Sequence, residues 1–213
     1  QIVTINAITK ENNRDSLQQL LNENIRFISN SLLSKKDSVL KNYLHKYQTD
    51  TCGIIVYDDS VLKSDFEGIK NIGNINGDNI PDSVFVLPPF SYCDAGDSYV
   101  FFDTTLPRLN TDSYCCHADN LFSIGDIDED GIDEVCIFYS SCASRFKSLI
   151  AYTLKNKRWK QIGTAVYDIS FMKPDKEKRV RKISKGVFEM LSSEGVLKKD
   201  KLVESRHWEK FSF

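Results

Sequence analysis

The sequence predicts an α+β fold, with N-terminal helices packed on a mostly antiparallel β-sheet assembly. Three observations carry this. Apolar residues recur at helical spacing before residue 50. Short β-branched and aromatic segments, separated by Gly, Asn, Asp and Pro, fill the rest. One ten-residue acidic segment occurs twice, 52 residues apart. No clear linker interrupts the 213 residues, so one composite domain is expected: a helical segment over 1–49 and a β-rich body over 50–213.

The first helix is expected over 15–33. Leu17, Leu20, Leu21, Ile25, Ile28 and Leu32 fall at three- and four-residue steps, and Asp15 suits the N-cap. The second is expected over 37–47, with Asp37 as cap and Leu40, Tyr43, Leu44 and Tyr47 on one face. Both apolar stripes read as packing faces. Strands are expected over 52–57, 83–87, 98–103, 134–140, 147–154, 157–163 and 164–171. Two tail segments, 186–191 and 201–213, are further candidates to pair. The stretch 172–182, rich in Lys, Arg, Asp and Glu, reads as an exposed loop.

Composition is that of a globular chain, 41% apolar and 27% charged. No eighteen-residue apolar run exists, so no transmembrane segment is expected. The chain opens at Gln1 without a basic, then apolar, leader; a signal peptide, if one directed export, has been removed. Charge is uneven: residues 1–49 carry +3, 50–150 carry −13 and 151–213 carry +8. The basic residues of the last part are interleaved with acids, which describes a solvated surface. Phosphate-binding Gly-rich loops and nucleic-acid signatures are absent, so no nucleic-acid partner is expected. Six cysteines at non-CxxC spacing fit disulfides and an extracytoplasmic location, periplasmic, secreted or surface-anchored, the alternative being a set of buried free thiols. Cys136–Cys142 is the first choice of bond, with Cys52–Cys93 or a bond from Cys115 or Cys116 to follow.

The repeated segment carries the chemistry. Gly73 to Asp82 aligns without gaps on Gly125 to Glu134. Calcium takes roughly six to eight oxygens at about 2.3–2.6 Å, and a tight loop supplies them from alternate positions. In the second loop these are Asp126, Asp128, Asp130, the Ile132 carbonyl and Glu134, with Gly131 at the sharp turn. In the first they are Asn74, Asn76, Asp78, the Ile80 carbonyl and Asp82, with Asn79 at the turn. An EF-hand is excluded: its twelfth-position Glu is replaced by Phe85 and Ile137, and the flanks read as strands. The second loop has four acids at ligand places and the first has two, so the second is expected to bind calcium more tightly.

Gly-Asp-Ile-Asp-Glu-Asp-Gly-Ile-Asp-Glu-Val, after Leu121-Phe122-Ser123-Ile124, resembles the calcium loop of FG-GAP repeats, the integrin-type and bacterial repeats of β-propeller blades. The resemblance covers about 66–105 and 118–163, and it puts ligands on Asp126, Asp128, Asp130 and Glu134, and on Asn74, Asn76, Asp78 and Asp82. Two repeats cannot close a propeller ring, so it implies a blade-like, incomplete propeller. More loosely, the chain is similar to small extracytoplasmic bacterial proteins of the lysozyme-inhibitor and immunity type.

His45, His117 and His207 are too scattered to hold zinc. Cys116-His117 has the residues of a nucleophile and its base, but adjacent side chains rarely face each other. Pro88-Pro89-Phe90-Ser91-Tyr92 reads equally as an aromatic recognition loop or a core cap. The expectation is therefore a non-enzymatic, extracytoplasmic interaction module stabilised by calcium, which binds a protein or a cell-wall-associated macromolecule. The alternatives are an inhibitor or immunity protein against a cell-wall hydrolase, and a carbohydrate-active hydrolase.

Overall fold

The computed structural model describes residues 2–4, 55–57, 70–89, 92–139, 142–170 and 175–213. The helices expected over 15–33 and 37–47 lie outside them. The strands in chain order are β1 (Ile2–Thr4), β2 (Ile55–Tyr57), β3 (Lys70–Asn71), β4 (Ser83–Leu87), β5 (Ser98–Phe101), β6 (Leu109–Asn110), β7 (Leu121–Gly125), β8 (Glu134–Tyr139), β9 (Phe146–Lys155), β10 (Arg158–Asp168), β11 (Val180–Ser184), β12 (Val187–Lys198) and β13 (Lys201–Ser212). The α+β expectation is corrected. Among the described residues, helix is confined to two 3-10 turns, Ala118–Asn120 and Lys176–Arg179. The described residues are nearly all β and include a curled half-barrel sheet.

Two compact units form. The first holds residues 1–70 and 83–118. In it β1 pairs β2, and β4, β5 and β6 form an antiparallel run with β3 at its edge. Val84, Phe85, Val86, Leu87, Tyr99, Val100 and Phe101 are all buried, so β4 and β5 are covered on both faces. Pro88 and Pro89 are buried too, while Tyr92 is exposed.

The second unit holds residues 71–82 and 119–213. Its sheet runs β11-β12-β10-β9-β8-β7, and β13 pairs β12 along its whole length, from Val187 opposite Ser212 to Lys198 opposite Lys201. All these pairings are antiparallel except β10 with β12, which meet at Tyr167 and Ser193. The β9–β10 and β12–β13 hairpins turn on Asn156-Lys157 and Lys199-Asp200, whose φ angles are all positive, as a right-twisted two-residue turn needs. The core is Phe122, Ile127, Cys136, Leu149, Ala151, Ala165, Tyr167, Phe188 and Met190.

Two sequence expectations are corrected in this sheet. Segments 157–163 and 164–171 form one strand, β10, whose register shifts between Gln161 and Gly163. The bulge lies at a tightly packed glycine, where a Cβ would lie 3.0 Å from Phe188 and from the Met190 sulfur. Residues 180–182, read as the end of a charged loop, belong to strand β11. It is an exposed edge strand, the place where sheets carry Lys and Arg to deter further pairing. Its Arg181 bonds Glu189 on β12 and lies over the Trp208 ring of β13 at 4.0 Å.

Candidate metal centre

Strands β7 and β8 are neighbours, and the second loop is the connection between them. Ile127, its second-position residue, is 1% exposed and belongs to the core cluster, so it anchors the loop from below. The Ile127 amide donates to Glu134 Oε2 at 2.7 Å, and its carbonyl accepts from the Gly186 amide at 2.9 Å. Asp126 accepts from the amides of Asp130 at 3.1 Å and Gly131 at 2.9 Å. Asp130 Oδ1 accepts from the Ile132 amide at 3.0 Å. These bonds fold the chain inward and bring carboxylate oxygens of Asp126, Asp128 and Asp130 within 4.8 Å of one another. Three carboxylates this close repel one another unless a cation sits among them.

The loop copies share backbone as well as sequence. Positive φ occurs at Gly77 and Asn79 in the first loop, and at the equivalent Glu129 and Gly131 in the second. Ile75 is fully buried, like Ile127. Its amide donates to Asp82 Oδ2 at 2.8 Å, repeating the bond from Ile127 to Glu134. In both copies the ninth-position carboxylate closes the loop on its own second residue.

The loops also touch. A Cβ on Gly73 would lie 1.7 Å from Asp133 Oδ2, so any larger residue there would displace that carboxylate. Asp133 Oδ2 accepts from the Asn74 amide at 3.1 Å and from Ser123 Oγ at 2.9 Å. The Asp133 amide donates to the Asn74 carbonyl at 2.8 Å, and Asn74 Nδ2 donates to the Gly131 carbonyl at 3.0 Å.

The sequence-predicted ligands therefore separate into groups. Asp126, Asp128 and Asp130 gather, with Ile132 next along the loop. Glu134 is 1% exposed; its Oε2 is held by Ile127 and its Oε1 accepts from Thr153 Oγ1 at 2.9 Å. Burial pushes its carboxyl up, two hydrogen bonds pull it down, and the charges of Asp128 and Asp130 push it up again, to about 7. In the first loop, Asn74 Oδ1 accepts from the Gly77 and Asn79 amides, Asn76 Oδ1 from the Asp78 amide, and Asp78 Oδ1 from the Ile80 amide. Asp82 is buried and turned to the amides of Ile75 and Asn76, and Ile80 is exposed. The first loop is thus largely internally bonded.

Sequence reasoning missed the lysines. The Lys155 ammonium lies 2.6 Å from Asp128 Oδ2 and bonds Asp130 Oδ2. Burial alone would raise the Asp130 carboxyl, but Lys155 and the Ile132 amide outweigh it and hold the group below its ordinary value. Lys182 Nζ donates to the Asp126 carbonyl at 2.9 Å and to Glu129 Oε1 at 3.1 Å. A signal for Lys155 was present: alternation along β9 puts Leu149, Ala151, Thr153 and Lys155 on one face, apolar in the core and polar where it meets the loop. Asp128 Oδ1 is buried and has no hydrogen-bond partner, although Lys155 holds its sister oxygen.

The remaining candidates do not assemble. The Cys116 thiol is buried; its contacts are Thr111 Oγ1 at 3.3 Å and the Ser113 carbonyl, and burial pushes it up to about 11, which is wrong for a nucleophile. His207 meets Glu209 at 3.0 Å on the surface, and His45 lies outside the described residues. The expected Cys136–Cys142 bond is corrected: Cys136 is a free, fully buried thiol in the core, while Cys93, Cys115 and Cys142 are disulfide-bonded. Among the described residues, no helix is long and apolar enough to cross a membrane. Searches against protein-family models, curated proteins and solved structures find no match.

Proposed function

We propose that the protein is an extracytoplasmic, non-enzymatic interaction module in which a calcium ion on the second loop stiffens the seven-stranded sheet. The observation that carries this is the gathering of Asp126, Asp128 and Asp130, with one buried Asp128 oxygen left without a partner. Such an oxygen is costly unless something binds it. An all-oxygen donor set suits a hard cation, and a flexible loop with a carbonyl at Ile132 suits calcium better than the strict octahedron of magnesium. The likeness of the loop to FG-GAP repeats supports the same choice. Disulfide-bonded cysteines fit the oxidising side of a membrane, where calcium is abundant.

In this reading Asp126, Asp128, Asp130 and the Ile132 carbonyl hold the ion. Glu134 shapes the loop through its bond with Ile127. The ion offsets repulsion at the junction of β7, β8 and β9 and so fixes the surface a protein or cell-wall partner would meet.

The test is thermal melting with calcium and with chelator. At free calcium about a hundredfold above the dissociation constant, linkage contributes about 2.7 kcal/mol, a rise of several degrees for a chain of this size. Asp128→Ala should abolish the rise. A wild-type melting temperature indifferent to calcium would overturn the reading.

A further inference from the structure

We propose that Lys155 is an internal cation that competes with the metal for the second loop, so that its ammonium must swing out before an ion can bind. This rests on the calcium reading above and adds the residue that sets the affinity of the site.

Lys155 and an ion in this loop would share carboxylates. Lys155 contacts Asp128 and Asp130 through their Oδ2 oxygens, and these are two of the three gathered carboxylates. A calcium ion sits about 2.3–2.6 Å from its ligands. An ammonium 2.6 Å from Asp128 Oδ2 occupies the same ground, so the two cations exclude each other by contact and by charge. Lys182, the other lysine at the loop, bonds the Asp126 carbonyl and Glu129 and touches none of the gathered carboxylate oxygens. The two lysines therefore have different jobs: Lys182 braces the loop, and Lys155 fills it.

Release is easy. Lys155 ends β9 beside the Asn156-Lys157 turn, and its side chain is 41% exposed, so a flexible four-carbon stem can carry the charge into water. Ion pairs on so exposed an ammonium are individually weak. That sets the competition at about tenfold in affinity, enough to tune a site without closing it.

The experiment is calorimetric titration of calcium into the full chain, wild type against Lys155→Gln and Lys182→Gln, with melting temperatures in chelator and in saturating calcium. Lys155→Gln should bind about tenfold more tightly. It should melt below wild type in chelator, where Asp128 and Asp130 have lost their counter-charge, and level with wild type in saturating calcium. A lysine with a merely structural role would lower both melting temperatures equally. Lys182→Gln should stay within about threefold of wild-type affinity. Binding by the variant alone would support the proposal in its strongest form. Wild-type binding with equal or weaker binding by Lys155→Gln would overturn it and leave the calcium reading intact. Binding by neither would overturn both.

Discussion

Asn74 and Asp133 hold each other in both directions: the Asp133 amide donates to the Asn74 carbonyl at 2.8 Å, and the Asn74 amide donates to Asp133 Oδ2 at 3.1 Å. The first ligand position of one loop is thereby tied to the residue before the ninth position of the other. The copies are a pair that stands or falls together, which explains why a segment distant in sequence belongs to the second unit.

That bond makes a double-mutant cycle informative. Asp133→Ala leaves the Asn74 amide and the Ser123 hydroxyl without their shared acceptor, which costs about 1–3 kcal/mol. Gly73→Ala places a methyl 1.7 Å from the same oxygen and displaces it. The two changes break one interaction, so urea unfolding should show the double variant well short of the sum. Strict additivity would mean that Gly73 is needed for another reason.

The metal loops should differ in rank. Asp126→Ala or Asp130→Ala should remove most of the calcium-induced rise in melting temperature. Asn74→Ala should remove little of it, because Asn74 brings no charge to its loop, although its Oδ1 accepts from Gly77 and Asn79 much as the Asp126 oxygens accept from Asp130 and Gly131. It should still lower the melting temperature in chelator, since those bonds and the one to Gly131 are lost. A full calcium shift in Asp130→Ala would put the ion elsewhere.

The turns of the loops were legible because their geometry is local: ten residues specify the turn, the gathered acids of the second copy and the buried anchor. Strand β4 was legible for the same reason, as an apolar run between turn residues. What escaped depends on register. Lys155 is 25 residues from Asp130 and reaches it only because β9 lies beside β8, with Tyr152 opposite Val135. Strand β11 escaped because an exposed edge strand and a charged loop have the same composition. The break seen within β10 was real but was a bulge at Gly163, which sequence alone cannot tell from a turn. Cys136 looked like a partner for nearby Cys142, yet on β8 it sits opposite Phe122 and Ala151 in the core.

The thiols give a chemical check. Cys116 and Cys136 are buried, and burial raises both, Cys136 further than Cys116. Both should resist alkylation in the native protein and label once it is unfolded without reductant. Peptide mapping should find Cys93, Cys115 and Cys142 unlabelled under those conditions. Label on Cys142, or its absence from Cys136, would contradict the assignment.

Asp168 supplies the pH dependence. It ends β10 fully buried. Burial alone would raise its carboxyl. The Ser170 amide at 2.9 Å, the Ser170 hydroxyl and the Arg145 guanidinium at 2.6 Å outweigh it and hold the group below its ordinary value. A carboxyl depressed in the folded state is easier to ionise there than in the unfolded chain, whose aspartates titrate near about 3.9. The stability it contributes is therefore complete above that value and disappears as pH falls through the lower folded one. Asp168→Asn removes the titration and leaves Arg145 facing an amide. Denaturant unfolding should show the variant less stable by a constant amount from neutral pH to about pH 5, and the gap should narrow steadily below about pH 4. Arg145→Gln should also narrow it, because less of the depression then remains. A gap that persists unchanged to pH 2 would show that Asp168 is not the titrating group.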